Sequence, residues 1–377
     1  MPIRILINLI YRKLRFNLKR SLRSETPYNK WFAWVYPAVF SSSADMSIDP
    51  TISVVVPTYN CKHLLVTHLR TMQTWLDLID EVIVVDSRST DGTLELIRAE
   101  LRHPRLRIIE RDRGLYQSWN EGIAATTGDW VYVSTAGDLI TREQLLHLRT
   151  VGEALSADVV VSPPDFAHED EQPHRDLGWP PAKLLAAFGR GEPFVMQPAA
   201  TQVLAFQFCP QAILGSSASN LYRGTHLRAR PFPTEYGVVG DTAWIMRYGH
   251  ETRLALTPQR GSTFCIHAKE AKLTPEQCVE LHHRLLNQEV DRLRASQQVG
   301  AMLGAFLAEQ ALPNRTKELW AEKRRLWHAA DNRLTNRTRW LATTSRYLWN
   351  RLKTKFMARR HARALRAQPG VFTHLGS

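Results

Sequence analysis

The sequence predicts an α/β protein with a mostly parallel sheet and helices on both of its faces. Three observations carry that expectation. Short β-branched apolar runs recur at 52–57, 81–86, 106–110 and 130–134. Helix-spaced segments separate them, which implies right-handed crossovers between parallel strands. Polar residues of chemical interest then fall where strands end, at 57–60, 86 and 135–138, and ligand sites of such sheets lie beyond the carboxyl ends of the strands.

Each element has its own signature. Residues 3–22 place Ile3, Leu6, Ile7, Ile10, Leu14, Leu18 and Leu22 at helical spacing among Arg and Lys, the pattern of a basic amphipathic helix. "SSSADMSIDP" (41–50) reads as a polar linker. "ISVVVP" (52–57) suits a strand buried on both faces. A helix is expected over 62–76, a strand at "EVIVVD" (81–86), and a helix over 91–101 with Asp91 as its cap. "LRIIE" (106–110) is the third strand, 115–127 a helix ending at Gly128, and "WVYVS" (130–134) the fourth strand. Trp119 and Ile123, at i and i+4, are expected in the core. Residues 151–265, Pro-rich at 163–198, read as a loop-rich half packed beside the first. From about 275 the pattern is helical to the end, and Trp320, Trp327, Leu334, Leu341 and Leu348 recur every seven residues. The organisation expected is a basic helix and linker (1–45), an α/β domain (46–270, halves 51–140 and 141–270) and a helical basic extension (271–377).

Charge separates these parts. The chain of 377 residues has a net charge of +13. Residues 1–30 hold eight Lys/Arg against one Glu, and residues 314–377 hold sixteen against three acids, so the body between them is acidic. Basic ends of this kind favour anionic surfaces. No stretch reaches the eighteen or so uncharged apolar residues that span a bilayer. The N-terminal basic residues mostly follow the apolar run, unlike a signal peptide. The four cysteines are scattered, with no C-x-x-C pair, which argues against a zinc knot and for a reducing compartment. A cytoplasmic protein, peripheral on the inner face of the cell membrane, is the resulting expectation.

Four motifs follow one another in order: "VVVPTYN", "VVDSRSTDGT", "RGLYQSWNEGIAATTGDWVYVSTAGD" and "VVGDTAWIMR". Together they closely resemble the family 2 glycosyltransferases, whose fold is GT-A, over roughly residues 51–270. The resemblance implies inverting transfer of a sugar from a nucleotide-diphosphate donor to a hydroxyl of a glycan or lipid-linked acceptor. It places the nucleotide against Pro57, Thr58, Tyr59 and Asn60, gives Asp86 hydrogen bonds to the base or ribose, and puts Arg113 near phosphate. In the family's common form strand four is followed by Asp-x-Asp-Asp, which holds a divalent cation. Here Thr135 and Gly137 replace two of those acids and Asp138 remains, a pattern similar to the subset with a Ser/Ala-Gly-Asp form. Mg²⁺ or Mn²⁺ is implied, since such ions need only one or two protein carboxylates when phosphates supply the rest. His267 is implied only as a later metal or phosphate ligand. Asp241 matches the second acid of the family's Glu-Asp pair, the general base that takes the acceptor's proton; Gly240 stands where the Glu would be. Arg88 stands where the family has Gly, and Arg247 is a further phosphate candidate.

Other functions fit less well. A sugar nucleotidyltransferase would carry a Gly-rich loop after strand one, and "PTYNCKHL" has no glycine. A catalytically inactive scaffold is permitted by the thinned acids at 135–138 and opposed by Asp86, Asp138 and Asp241. Nucleic-acid binding lacks any recognised module.

Overall fold

The structure is a computed structural model that describes residues 49–168, 175, 178–266, 274–297, 304, 311–328 and 334–375. The helix expected over 3–22 and His267 lie outside the described residues.

The first half alternates as its sequence requires. β1 (Ile52–Thr58) is followed by α1 (Lys62–Gln73), β2 (Glu81–Asp86), α2 (Thr93–Glu100), β3 (Leu106–Glu110), α3 (Leu115–Ala124) and β4 (Trp130–Val133). All four strands are parallel neighbours, in the order β3-β2-β1-β4. Side chains of a strand alternate between the two faces of its sheet. Val54 and Val56 therefore pack with Leu65, Leu69 and Met72 of α1, while Val55 packs with Tyr116, Trp119 and Ile123 of α3 on the other face. Trp119 and Ile123 are core residues, as their spacing predicts. The first helix stops at Gln73, short of the expected 76, where a 3-10 turn over 76–78 turns the chain back towards β2.

The second half contains more regular structure than its sequence suggests: β5 (Leu139–Ile140), α4 (Arg142–Ala154), β6 (Val159–Val161), β7 (Asp165–His168), α5 (Pro180–Phe188), β8 (Phe194–Met196) and α6 (Pro198–Phe208). Then come β9 (Asn220–Arg223), α7 (Gly224–Arg228), α8 (Gly240–Tyr248), β10 (Leu254–Leu256) and β11 (Ser262–Ile266). β9 inserts antiparallel between β4 and β6, so the sheet is parallel through β1 to β4 and mixed beyond them. β5, β11 and β7 form a small second sheet.

The remaining helices are α9 (Pro275–Ala295), α10 (Ala311–His328) and α11 (Leu334–Ala367), and β12 (Phe372–His374) closes the described chain. α9 opens with a capping box in which Thr274 and Gln277 bond each other's backbone amides. β12 pairs antiparallel with β8, giving a nine-stranded main sheet among the described residues. The described residues after 270 are mostly helical, as expected, but their last strand belongs to the central sheet. α10 and α11 lie antiparallel: Thr316 meets Thr354 at 3.0 Å, and the Trp327 and Trp340 rings are 5.3 Å apart. The seven-residue row is thus divided between two helices. Trp340, Thr343 and Tyr347 face α10, and Leu341 and Leu348 are exposed.

Candidate active site

The loops after β1 and β2 are sewn together beneath the carboxyl end of the sheet. Asp86 is fully buried and accepts hydrogen bonds from Thr58 Oγ1 (2.8 Å), Ser89 N (2.8 Å) and Ser89 Oγ (2.7 Å). A carboxylate has about four acceptor positions, so most of Asp86 is committed to holding these loops. Asn60, in the left-handed region at φ 46°, donates its backbone N–H to Ser89 Oγ and accepts from Thr90 N. Asp91 joins the start of α1 to that of α2, accepting from Lys62 N, Thr93 N and Thr93 Oγ1. Its role is structural as expected, but the helix starts at Thr93 and the cap position is Gly92, at φ 87°, so Asp91 stands one residue before the cap. The solvent side of these loops is different. Tyr59 is 41% exposed, and the Arg113 guanidinium sits 4.5 Å from its ring centre. Pro57 is half-buried behind them. Arg88 adopts φ 52°, which explains why glycine is at ease there, and its side chain pairs with Asp112 at 2.6 Å in solvent.

Asp138 is held from two sides. Gly137 takes φ 96°, a conformation that favours glycine over the Asp of the commoner motif, and the turn closes with Asp138 N donating to Thr135 O. β5 then pairs with β11, and Cys265 N donates to Asp138 Oδ1 at 3.0 Å. Below the turn lies His68 of α1, which sequence reasoning missed. Its Nδ1 is 2.9 Å from Asp138 O and its Nε2 is 3.1 Å from Ser134 Oγ. Burial pushes the His68 pKa down to about 4, so the ring is neutral and fixes the turn by hydrogen bonds alone. The one available signal was its place among Leu65, Leu69 and Met72 on the inner face of α1. Thr135 Oγ1 also meets Ser217 Oγ at 2.7 Å, tying the turn to the second half.

Asp241 stands in the first turn of α8. Its residue is half-buried, yet its carboxyl is desolvated, and this burial pushes its pKa up to about 6 against the hydrogen bond from Thr242 N (2.7 Å) and the neighbouring Tyr116 hydroxyl, which donates to Val238 O at 3.4 Å. Tyr116 is the second residue that sequence reasoning missed. Its ring fills the space beside Gly240: a Cβ there would lie 2.4 Å from Tyr116 Cδ2 and 2.6 Å from Pro233 O. The Glu of the family's Glu-Asp pair has no room in this chain. Tyr116 also lies three residues from Arg113. One short segment at the start of α3 thereby lies beside Asp241 at one end and against the Tyr59 ring at the other.

Arg247 is not a phosphate ligand. Its guanidinium is enclosed by Glu289 of α9 (2.7 and 3.1 Å) and Glu235 (2.6 Å), and Glu289 also accepts from Tyr236 Oη at 2.7 Å. The clasp binds α9 to the helix that carries Asp241.

Residues 53–201 match the profile of the family described as "Glycosyl transferase family 2". Over this stretch the chain is similar to the family 2 glycosyltransferases. The chain is similar to the succinoglycan biosynthesis protein ExoO of Rhizobium meliloti (strain 1021), 30% identical over 123 residues, which are 32% of this chain and 35% of that protein. It is 28% identical over 122 residues to the SPbeta prophage-derived glycosyltransferase SunS of Bacillus subtilis (strain 168), covering 32% of this chain and 28% of that one. The chain therefore spans about a third of the length of these relatives. Among solved structures, S. aureus TarS 1–349 in complex with UDP-GlcNAc superposes with TM-score 0.46 at 18% identity, over 80% of this chain and 81% of that one.

A carboxylate such as Asp138 is the kind of ligand a hard divalent cation takes, and here it is buried with Oδ1 accepting from Cys265 N. The described residues contain no group of three His, Cys, Asp or Glu side chains that could hold a metal ion by themselves. A cation at Asp138 would be shared with diphosphate oxygens.

Proposed function

We propose that the chain is an inverting glycosyltransferase in which Asp241 is the general base. The observation that carries this reading is the setting of Asp241: a carboxyl with a pKa near 6, at a helix N-terminus, linked through Tyr116 and Arg113 to the groove at Tyr59. Such a carboxylate is ionised at neutral pH and is a stronger base than one in water. In the step proposed, Asp241 takes the proton of the acceptor hydroxyl as its oxygen bonds to the anomeric carbon. The bond from that carbon to the diphosphate oxygen breaks, and the nucleoside diphosphate leaves with the electron pair. Tyr59 and Arg113 hold the nucleotide and its phosphates, and Pro57, Thr58, Asn60 and Asp86 fix the loops that shape the groove. Mg²⁺ or Mn²⁺ on Asp138 would neutralise charge on the leaving diphosphate. A glycan or lipid-linked acceptor suits the resemblance to a protein of succinoglycan biosynthesis. A peripheral position on the inner face of the cell membrane suits the two basic ends.

The test is a transfer and donor-hydrolysis assay over a panel of radiolabelled nucleotide sugars. One or more donors should turn over, and Asp241→Asn should lower kcat by roughly 10²–10⁴-fold while leaving donor Kd nearly unchanged. Absence of turnover with every donor, while nucleotide still binds, would replace the enzyme by a binding scaffold. Normal turnover in Asp241→Asn would move the base elsewhere.

A further inference from the structure

We infer that the outer face of α11 is a bilayer-docking surface whose partner is an anionic lipid headgroup layer. This assignment rests on the membrane placement proposed above for its purpose, and on the geometry of α11 for its location. α11 is 34 residues long, or about 50 Å. It contains ten Lys/Arg and no Asp or Glu. One side packs on α10 through Trp340, Thr343, Tyr347 and Thr354. The other side presents Leu341, Leu348, Trp349, Leu352 and Phe356, which are between 50% and 69% exposed. At 3.6 residues per turn these five fall within one stripe. Arg351, Lys355 and Arg359 run beside it at the same i, i+4, i+8 spacing, and Lys353 lies 5.1 Å over the Trp349 ring on the other side.

An apolar stripe bordered by cations is the arrangement of helices that lie in a membrane interface. Leucine and aromatic rings enter the headgroup boundary there, and long basic side chains reach up to lipid phosphates. No described helix is long and apolar enough to cross a membrane, so α11 would lie along the surface. Charge disfavours the other occupants. A second copy would set ten cations against ten. The segment 1–30 of this chain carries eight Lys/Arg against one Glu and is repelled in the same way. Nucleic acid would satisfy the charge and leave the Leu and Phe row in water.

The experiment is sedimentation of the full chain with phosphatidylglycerol-containing vesicles and with pure phosphatidylcholine vesicles at low salt. Binding to the first and little to the second is expected. The variant Arg351→Gln, Lys355→Gln, Arg359→Gln should bind the anionic vesicles on the order of 100-fold more weakly, since each interfacial cation contributes about fivefold. The variant Leu348→Ser, Leu352→Ser, Phe356→Ser should lose roughly tenfold or more. All six residues are exposed, so both variants should keep the parent's circular dichroism, and a variant that loses it is replaced by the other. Full-strength vesicle binding in both variants overturns the assignment and moves binding to another segment, such as 1–30. A parent that ignores vesicles, binds duplex DNA instead, or is a dimer that the serine variant dissociates overturns it as well. Vesicle binding is read without any transfer reaction. An enzyme that binds vesicles but turns over no donor would therefore refute the proposed activity and leave the surface standing.

Discussion

Asp241, as the proposed base, couples chemistry to stability through one proton. As a base it must be ionised, so kcat/KM should rise with pH through about 6 and then level; a profile flat from pH 5 to 8 would exclude it. The same burial has an opposite effect on the fold. Its folded pKa, near 6, is raised above the ordinary carboxyl value of 3.8, so its contribution is full below that value and is lost as pH rises through 6. Asp241→Asn should therefore melt higher than the parent at pH 7.5, by about 1–3 kcal/mol, and match it at pH 4. Gly240 is constrained more severely. Gly240→Glu, which restores the family's acidic pair, drives a side chain into the Tyr116 ring and the Pro233 carbonyl. It should cost roughly 1–3 kcal/mol or more by overpacking, measured by urea denaturation, and should lower rather than raise turnover. At Asp138 the expectation is cooperative binding. Calorimetry should show Mn²⁺ binding better with nucleoside diphosphate than alone, and Asp138→Ala should remove the difference.

Among the elements, the α8–α9 clasp anchors the helix that carries Asp241. Glu289 is buried with Arg247, so Glu289→Ala leaves that cation with Glu235 alone and should destabilise the protein by about 3 kcal/mol. A positioning role would show as a larger fall in kcat than in donor affinity, with partial rescue by Glu289→Gln, which keeps the side chain's volume and a hydrogen-bonding oxygen. A purely structural role would change stability alone. The clasp also shows where sequence reading stopped. The first four strands and three helices were legible because each carries its own local period. So were the strand ends that hold Thr58 and Asp86, since parallel topology puts ligands there. The contacts that aim Asp138 and Asp241 were not. Cys265 reaches Asp138 across 127 residues, and Tyr116 fills the space at Gly240 across more than a hundred. Pairings of that span leave no periodic trace in either partner. β8, β9 and β10 are too short, at three or four residues, to show a strand's alternation.

The whole molecule is closed at one sheet edge by β12, which lies against β8 far back in the chain, with Phe372 opposite Met196 and His374 opposite Phe194. The aromatic contact of Phe372 with Phe188, at 4.5 Å, seals the same corner. That closure has a kinetic meaning. Loops of such length are slow to close because their entropy is lost before any contact repays it. The parallel strands β1 to β4 and their helices need no such loop and can form first. β12 should be late to acquire protection in pulsed hydrogen exchange during refolding and early to lose it in the native protein, whereas the amides of β1 and β2 should exchange only through global unfolding. The loops at Tyr59 would then be assembled while the edge beyond β8 still frays, and refolding chains would regain the proposed nucleotide binding before they regain full resistance to protease.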